Sequence, residues 1–318
     1  MKKLFAIVLA LAVMLSLVAC GGGASKMTMG TGGTAGTYYA YGGVLAQYIK
    51  NHGDIEVVVV STDGSKANIQ SIDAGDYQLG TVQSDVLAYA WEGTRSFESE
   101  GAIDSFRVVA GLYAEAVQLI TMDPEIKSVA DLAGKSVSIG APGSGVYFNA
   151  VDVLAAAGLT EADINAQYQS FADSTDALKD GKIDAAFIVA GPPTPAITEL
   201  CTTNSAYLVP IDGEIADKLI ADCPFYTKHA IPAGTYPGQD ADVTTVTVKA
   251  TLIVTADAAE DDVYNLTKAI FDNASVIAAE NAKGNELSID NAVSGMEAPF
   301  HAGAAKYFAE QGVTVETK

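Results

Sequence analysis

A glycine-rich loop near the start of the chain is the part of the sequence best suited to holding a small ligand. Gly30-Thr31-Gly32-Gly33-Thr34-Ala35-Gly36 lies between a predicted strand at 26–30 and a predicted helix at 37–51. Glycines let backbone N–H groups approach a ligand closely, and a helix N-terminus attracts anionic or polar groups. The loop therefore predicts a binding site for such a group.

Two other interpretations of this loop stay open. Gly30, Gly32 and Ala35 match the dinucleotide fingerprint G-x-G-x-x-G/A, and Asp63 supplies an acidic residue after the next strand. Residues 1–20 predict export, and nicotinamide and flavin cofactors are scarce outside cells, so we expect no cofactor. The other interpretation is a tight turn that binds nothing.

A second loop, Gly140-Ala141-Pro142-Gly143-Ser144-Gly145, has the same setting between a strand and a helix. Two helix N-termini that face each other across a cleft would trap a small carboxylate through their dipoles and free N–H groups. Ser144 does not fit the nucleophile motif G-x-S-x-G, because Pro142 and Val146 occupy its outer positions.

Two further loops follow predicted strands. Gln83-Ser84-Asp85 precedes a helix, and Gln83 and Ser84 would point into a cleft at that sheet edge, with Asp85 as an N-cap or first-turn acid. The loop that contains Gly191, at 190–195, carries three prolines. It is either a rigid turn or a ligand contact.

Residues for enzymatic chemistry do not converge in this sequence. His52, His229 and His301 have no metal-ligand spacing to another His, Cys or acid. We find no catalytic triad and no phosphate-binding GK[ST] loop. The sequence therefore predicts a binding protein, with no metal, no cofactor and no catalytic residues.

The first twenty residues predict a lipoprotein signal peptide. Lys2 and Lys3 are followed by an apolar stretch at 4–19 and then by Cys20. A cysteine after a small residue is typical of the lipobox, whose sulfur carries a diacylglycerol. Residues 21–26 would then be a flexible tether. An N-terminal membrane anchor that is never cleaved is the alternative. We expect an extracytoplasmic protein held at the cell membrane.

The composition is strongly acidic, with 39 Asp and Glu against 18 Lys and Arg and a net charge of −21. Nucleic-acid binding needs basic patches, so we expect no nucleic-acid partner. Arg95 and Arg107 are the only arginines of the chain, and both fall outside the loops described above. Cys201 and Cys223 are a possible disulfide in an oxidising compartment, or two buried thiols.

Strand-like and helix-like segments alternate along the chain, which favours parallel sheets covered on both faces. Two long extended stretches, at 106–122 and 243–255, suggest two crossings between lobes. We therefore predict one lobe from 27–116 plus 251–318 and another from 117–250, with a cleft between them.

Several of these segments together resemble the TAXI family, the solute receptors of one branch of tripartite ATP-independent periplasmic (TRAP) transporters. The segments that carry the resemblance are TGGTAGTYY at 31–39, QSD at 83–85, IGAPGSG at 139–145, DGKIDAAF at 180–187, AGTYPG at 233–238 and FHAGA at 300–304. The match runs from about residue 27 to the C-terminus. Relatives often continue the second loop with Thr-Glu, where this chain has Val146-Tyr147. The identity of the relatives' ligand is therefore not carried over to this chain.

The resemblance implies an α/β, bilobal type II periplasmic-binding-protein fold with a hinge and an interlobe cleft. It implies no enzymatic activity, but capture of an amino acid such as glutamate, or of a dicarboxylate, for a permease driven by an ion gradient. We expect a monomer. The implied ligand-binding residues are Gly32, Gly33, Thr34, Tyr38, Gln83, Ser84, Asp85, Gly143, Ser144, Tyr147 (by stacking), Gly191 and Tyr236. A sensory subunit that presents the same ligand to a signalling partner is the alternative, and an exported enzyme is a further one.

Overall fold

The computed structural model describes residues 25–317, in which short strands and helices alternate. The strands are β1 (Ser25–Gly30), β2 (Ile55–Val60), β3 (Leu79–Gln83), β4 (Phe106–Thr121), β5 (Ser136–Ser138), β6 (Asn165–Gln167), β7 (Ala185–Ala190), β8 (Tyr207–Val209), β9 (Thr227–Ile231) and β10 (Val243–Thr255). The helices are α1 (Thr37–Gly53), α2 (Ser65–Asp73), α3 (Ser84–Glu92), α4 (Val146–Ala156), α5 (Phe171–Lys179), α6 (Pro195–Thr203), α7 (Gly213–Asp222), α8 (Glu260–Phe271), α9 (Ala274–Glu280), α10 (Ile289–Val293) and α11 (Ala302–Glu310).

The predicted signal peptide and the lipidated Cys20 lie outside the described residues. So does most of the predicted tether, but β1 begins at Ser25 and takes the last two tether residues into a strand. Within residues 25–317, none of the helices has the length and apolar character that a membrane crossing requires.

Ten strands form one mixed sheet in the order β2-β1-β3-β10-β4-β7-β5-β6, with β8 paired to β4 and β9 paired to β10. At one end β1 pairs with β2 and β3 in parallel, and at the other β5 pairs with β6 and β7 in parallel. The two long strands β4 and β10 run antiparallel to each other in the middle. Parallel pairs with connecting helices thus occupy both ends, as the alternating pattern predicted.

The buried apolar residues divide into a first group, from Met27 to Tyr113 and from Ala250 to Phe308, and two others within 116–248. We call the parts of the chain that build them the first lobe (25–113 and 250–317) and the second lobe (116–248). Only β4 and β10 run through both lobes. β4 passes from one core to the other between Tyr113 and Ala116, and β10 does so between Val248 and Ala250.

The second lobe covers its sheet on both faces. Side chains alternate along β7, so Phe187 packs with α4 and α7 in one group, and Ile188 packs with α5 and α6 in the other. All six residues of β7 are buried. This explains why β7 reads in the sequence as a continuous apolar run.

Three features of the fold differ from the sequence-based expectation. The strand β2, expected to be buried, lies at the sheet edge, where Val58 is 37% exposed. The long helix predicted at 262–279 divides into α8 and α9, because Asn273 leaves helical geometry and its Nδ2 donates to the Ala269 carbonyl. The sequence pattern predicted none of the elements from α6 to β9, each of which has at most ten residues.

Candidate functional site: a cavity between the two lobes

A cavity lies between the lobes at the carboxyl ends of the parallel strands, where ligands bind in open α/β sheets. The space within it, including the open solvent at its mouth, is about 610 Å³. The first lobe contributes Gly32, Gly33, Gly36, Thr37, Tyr38, Thr62, Asp63, Gly64, Ser65 and Gln83, and Glu115 comes from the part of β4 that passes between the lobes. The second lobe contributes Ala141, Ser144, Gly145, Val146, Gln169, Ser170, Phe171, Val189 and Ala190.

Four helices begin at the wall of this cavity: α1, α2, α4 and α5. The N-caps of the first three are Gly36, Gly64 and Gly145, so no side chain caps their first turns. The helix α5 is different, because Ser170 accepts a hydrogen bond from the Asp173 amide. The uncapped turns of α1 and α4 face the cavity from opposite lobes, and their N–H groups and dipoles suit an anionic or polar ligand group.

Buried polar atoms without a partner lie among the lining side chains. Within residues 25–317, no hydrogen bond is made by the Tyr38 hydroxyl or by the Oε1 atoms of Gln83, Glu115 and Gln169. A buried polar atom without a partner is costly, so such atoms are rare in native structures. Their clustering beside one cavity indicates that a polar ligand supplies the missing hydrogen bonds.

Glu115 is the charged side chain at the base of the cavity and is 1% exposed. It projects from the middle of β4, where this strand passes between the lobes. Burial raises the pKa of Glu115 to about 8. Burial also raises the pKa of Asp85 behind it to about 7. Glu115 thus keeps its proton through neutral pH, and Asp85 keeps its proton up to about pH 7.

A buried network joins the lobes behind the cavity. The amide nitrogen of Gln83 donates to Asn149 Oδ1 at 2.9 Å. Asn149 Nδ2 donates to Asp85 Oδ2 at 2.9 Å and to the Tyr226 hydroxyl at 2.7 Å. Gln83 and Asp85 belong to the first lobe, whereas Asn149 and Tyr226 belong to the second. Asn149 is fully buried, so this contact is desolvated and directional.

Further hydrogen bonds connect the lobes around the cavity. The Thr37 hydroxyl donates to the Gly191 carbonyl at 2.8 Å, and the Ala196 amide donates to the Ala35 carbonyl at 3.1 Å. On another side, the Gly143 carbonyl accepts from the first-turn amides of α2.

An ion pair adds to these contacts, with Arg95 and Asp152 at 2.6 Å. The lobes therefore stand in a closed arrangement around the cavity.

Five of the residues predicted to bind ligand line this cavity: Gly32, Gly33, Tyr38, Gln83 and Ser144. Seven others do not: Thr34, Ser84, Asp85, Gly143, Tyr147, Gly191 and Tyr236. Thr34 is exposed at the surface. The remaining six make structural contacts near the site.

Asp85, Gly143 and Gly191 take part in the interlobe hydrogen bonds already described. Ser84 Oγ accepts from the Lys249 amide at 3.2 Å, which ties α3 to β10. These residues position the lobes or their elements, and the cavity wall does not include them.

The two tyrosines are held within the second lobe. Tyr147 does not line the cavity and donates to Glu161 at 3.0 Å, so its ring is not placed to stack on a ligand there. Tyr236 is 2% exposed, and its hydroxyl accepts from the Thr194 amide at 2.9 Å and donates to Gln118. That tyrosine holds the loop that contains the cis peptide bond between Pro192 and Pro193.

Sequence reasoning missed Glu115, Ser65 and Gln169 as lining residues. Glu115 had a detectable signal, because it is the only acidic residue in the apolar stretch 106–121. Ser65 is the first residue of α2 and Gln169 stands in the loop after β6, and neither segment has a distinctive composition. Only the closure of the lobes brings Gln169, which follows β6, to the cavity wall shared with Ser65.

The two remaining cysteines are free thiols. Cys201, at the end of α6, packs against one face of the second-lobe sheet, and Cys223, after α7, packs against the other. The disulfide that the sequence left open is not formed, because the sheet separates the two side chains. Among residues 25–317, no three His, Cys, Asp or Glu side chains are grouped to hold a metal ion.

Solved structures share this architecture. A Bordetella bronchiseptica protein is 18% identical, with a TM-score of 0.54 over 90% of this chain and 89% of its own. PhnD1 from Prochlorococcus marinus, in complex with methylphosphonate, is 12% identical, with a TM-score of 0.52 over 78% and 84%. The ligand-binding component of an ABC-type import system from Staphylococcus aureus, with zinc bound, is 11% identical, with a TM-score of 0.51 over 83% and 80%.

These similarities confirm the predicted fold class, a bilobal α/β periplasmic-binding-protein fold. At such identities they show the fold alone. The sequence itself matches one family along nearly its whole described length. Residues 29–312 match the NMT1-like family, and the chain therefore belongs to the NMT1-like family.

Proposed function

We propose that this chain is an extracytoplasmic receptor that captures a small organic solute between its two lobes and delivers it to a membrane permease. The observation that carries the proposal is the interlobe cavity, whose wall combines uncapped helix N-termini with buried polar atoms that lack partners. A cavity of this kind is the usual form of a small-molecule site. The solute classes expected are amino acids, such as glutamate, and dicarboxylates.

The mechanism is lobe closure about the two crossing strands. We propose that 27–116 plus 251–318 move as one body and 117–250 as the other, with β4 and β10 as the hinge. A solute that contacts both lobes binds the closed form better and shifts the population toward it. The polar ligand contacts in this mechanism come from Gly32, Gly33, Tyr38, Gln83 and Ser144, with Glu115 added.

A thermal-shift screen of the purified protein against amino acids, dicarboxylates and keto acids tests the receptor proposal. A ligand at 100 times its Kd adds about 2.7 kcal/mol to the free energy of unfolding. For a chain of this size we expect one class to raise the Tm by several degrees, saturably. If no compound shifts the Tm, and mass spectrometry of the denatured protein finds no co-purified small molecule, the proposal fails.

The transporter that we propose is a TRAP permease, driven by an ion gradient and not by ATP. Support comes from the segments that resemble TAXI receptors, such as TGGTAGTYY at 31–39. The Staphylococcus aureus protein of similar fold belongs to an ABC-type system, so the fold is compatible with either energy source. Uptake of the identified solute into cells should stop when the ion gradient is collapsed. Uptake that stops only on ATP depletion would contradict the TRAP assignment.

We also propose that Cys20 carries the lipid that holds the protein at the outer face of the cell membrane. The order of residues in 1–20 supports this. Mass spectrometry of the N-terminal peptide from membrane-bound protein should show a diacylglycerol on Cys20. An unmodified Cys20 in that fraction would refute the anchor.

A further inference from the structure

The ionisable side chains that the structure describes on the cavity wall include carboxyl groups but no basic groups. The ionisable acids there are Asp63 and Glu115, and the described residues that line the cavity include no Lys, Arg or His. An anionic ligand group can still be held by the uncapped turns of α1 and α4. The base of the cavity, where Glu115 lies, offers no cationic side chain to a second anionic group.

The hydrogen-bond polarity of this base is fixed by the interlobe network. Asn149 Nδ2 donates to Asp85 and to the Tyr226 hydroxyl, so Asn149 Oδ1 must accept. It accepts from Gln83 Nε2 at 2.9 Å. Gln83 therefore keeps its nitrogen in the network, and its Oε1 is the atom without a partner. Glu115 Oε1 also lacks a partner, and it becomes a second acceptor at the base when the carboxyl gives up its proton.

The titratable groups that face Glu115 come from several elements. They are Tyr38 on α1, Asp85 on α3, Tyr113 on β4 and Lys283 in the turn after α9. Lys283 is engaged by Glu286, at 2.7 Å. Its ammonium group thus has a carboxylate partner of its own.

We infer that Glu115 is the specificity-determining residue of this cavity and that it binds a protonated amino group of the ligand. Asn149 is a positioning residue, because it makes Gln83 offer an acceptor to the same group. The inference rests on the proposed receptor function and narrows its ligands to compounds with a cationic nitrogen at one end. An ammonium group supplies the N–H donors that both Oε1 atoms lack.

Binding of this kind releases a proton. Below about pH 8 the Glu115 carboxyl holds its proton in the ligand-free protein. The ligand ammonium keeps its own three protons, and the carboxyl gives one proton to solvent as the ion pair forms. Affinity for an amine-bearing ligand should therefore increase as the pH rises toward 8, and level off above it.

The test uses pairs of probes that differ only in an amino group: L-glutamate and glutarate, L-glutamine and glutaramate, L-leucine and 4-methylpentanoate. Thermal shift ranks the pairs, and calorimetry in two buffers of different ionisation enthalpy counts protons. We expect the amine-bearing member of at least one pair to bind, with release of close to one proton at pH 6.5. Glu115→Gln should weaken that binding by about 30-fold or more.

The substitution Asn149→Ala tests whether Asn149 positions Gln83 for the ligand. It should lower the preference for the amine-bearing member over its partner, because Gln83 is then free to turn its nitrogen toward the ligand. An equal loss of affinity for both members would reduce Asn149 to a structural role.

Other outcomes separate this inference from the receptor proposal. If amine-free members bind as well as their partners, or if binding takes up protons, the inference is overturned and the receptor function stands. If no probe binds and no other small solute does, the receptor proposal fails and the inference fails with it.

Discussion

Two carboxyl side chains behind and beneath the cavity are buried at a cost to the folded state. Burial raises the pKa of Glu115 from 4.5 to about 8 and that of Asp85 from 3.8 to about 7. The folded chain therefore binds more protons than the unfolded chain in the range between these values. Stability contributed by such groups is present at low pH and is lost as the pH rises toward the folded pKa.

Glu115→Gln removes one of these groups and keeps the shape of the side chain. From pH 5 to pH 8 the wild-type protein should lose stability relative to this variant, by at most about 1.4 kcal/mol per pH unit. Urea unfolding of both ligand-free proteins at several pH values measures the difference. A difference that is the same at pH 5 and pH 8 would show that Glu115 titrates normally in the folded protein.

At the scale of elements, the turn that follows α3 is joined to α4 across the lobes by the pair between Arg95 and Asp152. Asp152 is 8% exposed and also accepts from the Tyr226 hydroxyl at 3.1 Å, whereas the Arg95 side chain is 37% exposed. The other arginine, Arg107, donates to two backbone carbonyls of its own segment and lies over Trp91. The two arginines thus differ in whether they join the lobes.

Arg95→Ala should destabilise the folded protein by about 1–2 kcal/mol, a figure lowered by the partial exposure of the guanidinium group. Arg107→Ala is the matched control, and we expect a smaller loss, of about 0.5 kcal/mol. Chemical denaturation of the two variants measures both values. Equal losses would mean that the interlobe pair adds nothing beyond ordinary surface contacts.

The elements also show what sequence reasoning can reach. The bounds of β10 were predicted correctly, because its β-branched run is long and ends at turn residues. The glycine loops after β1 and β5 were found as site candidates because glycine marks close backbone approach. Elements of three to five residues, such as β8 and β9, hold too few residues for a periodic signal.

The site was less accessible to such reasoning than the fold. Tyr236 and Tyr147 were assigned to the cleft from local motifs, yet their hydroxyls point to Thr194 and Glu161. Which way a side chain turns depends on partners far away in sequence, and one sequence does not encode them as a local pattern. Glu115 faces the cavity only because β4 crosses between lobes there.

At the scale of the whole molecule, closure brings Gly145 of the second lobe against Gln83 of the first. A methyl group on Gly145 would overlap the Gln83 amide oxygen and come within 3.0 Å of a Val86 methyl. The backbone of Gly145 has a φ of −71°, which alanine adopts freely. The lack of a side chain at this position is therefore needed for the fit between lobes and not for the local turn.

Gly145→Ala should keep each lobe folded and prevent full closure. We expect a larger radius of gyration in solution scattering and a loss of ligand affinity of about tenfold or more. The Tm should fall by a few degrees, because the interlobe hydrogen bonds and the pair between Arg95 and Asp152 are weakened. Gly43→Ala is the control, because Gly43 is exposed on α1 with open space around it. Scattering curves and affinities equal to those of the wild type would mean that Gln83 moves aside without cost.

The insertion of the second lobe into the first also decides the order in which a growing polypeptide can fold. Residues 116–248 are contiguous and include every buried apolar residue of their two cores. The first core, in contrast, needs β10 between β3 and β4, and β10 leaves the ribosome only after the whole second lobe has been made. Synthesis proceeds from the N-terminus, so β3 presents an unpaired edge during most of translation. We therefore expect the emerging chain to be prone to aggregation through the edge of β3 until β10, in the last quarter of the sequence, has appeared.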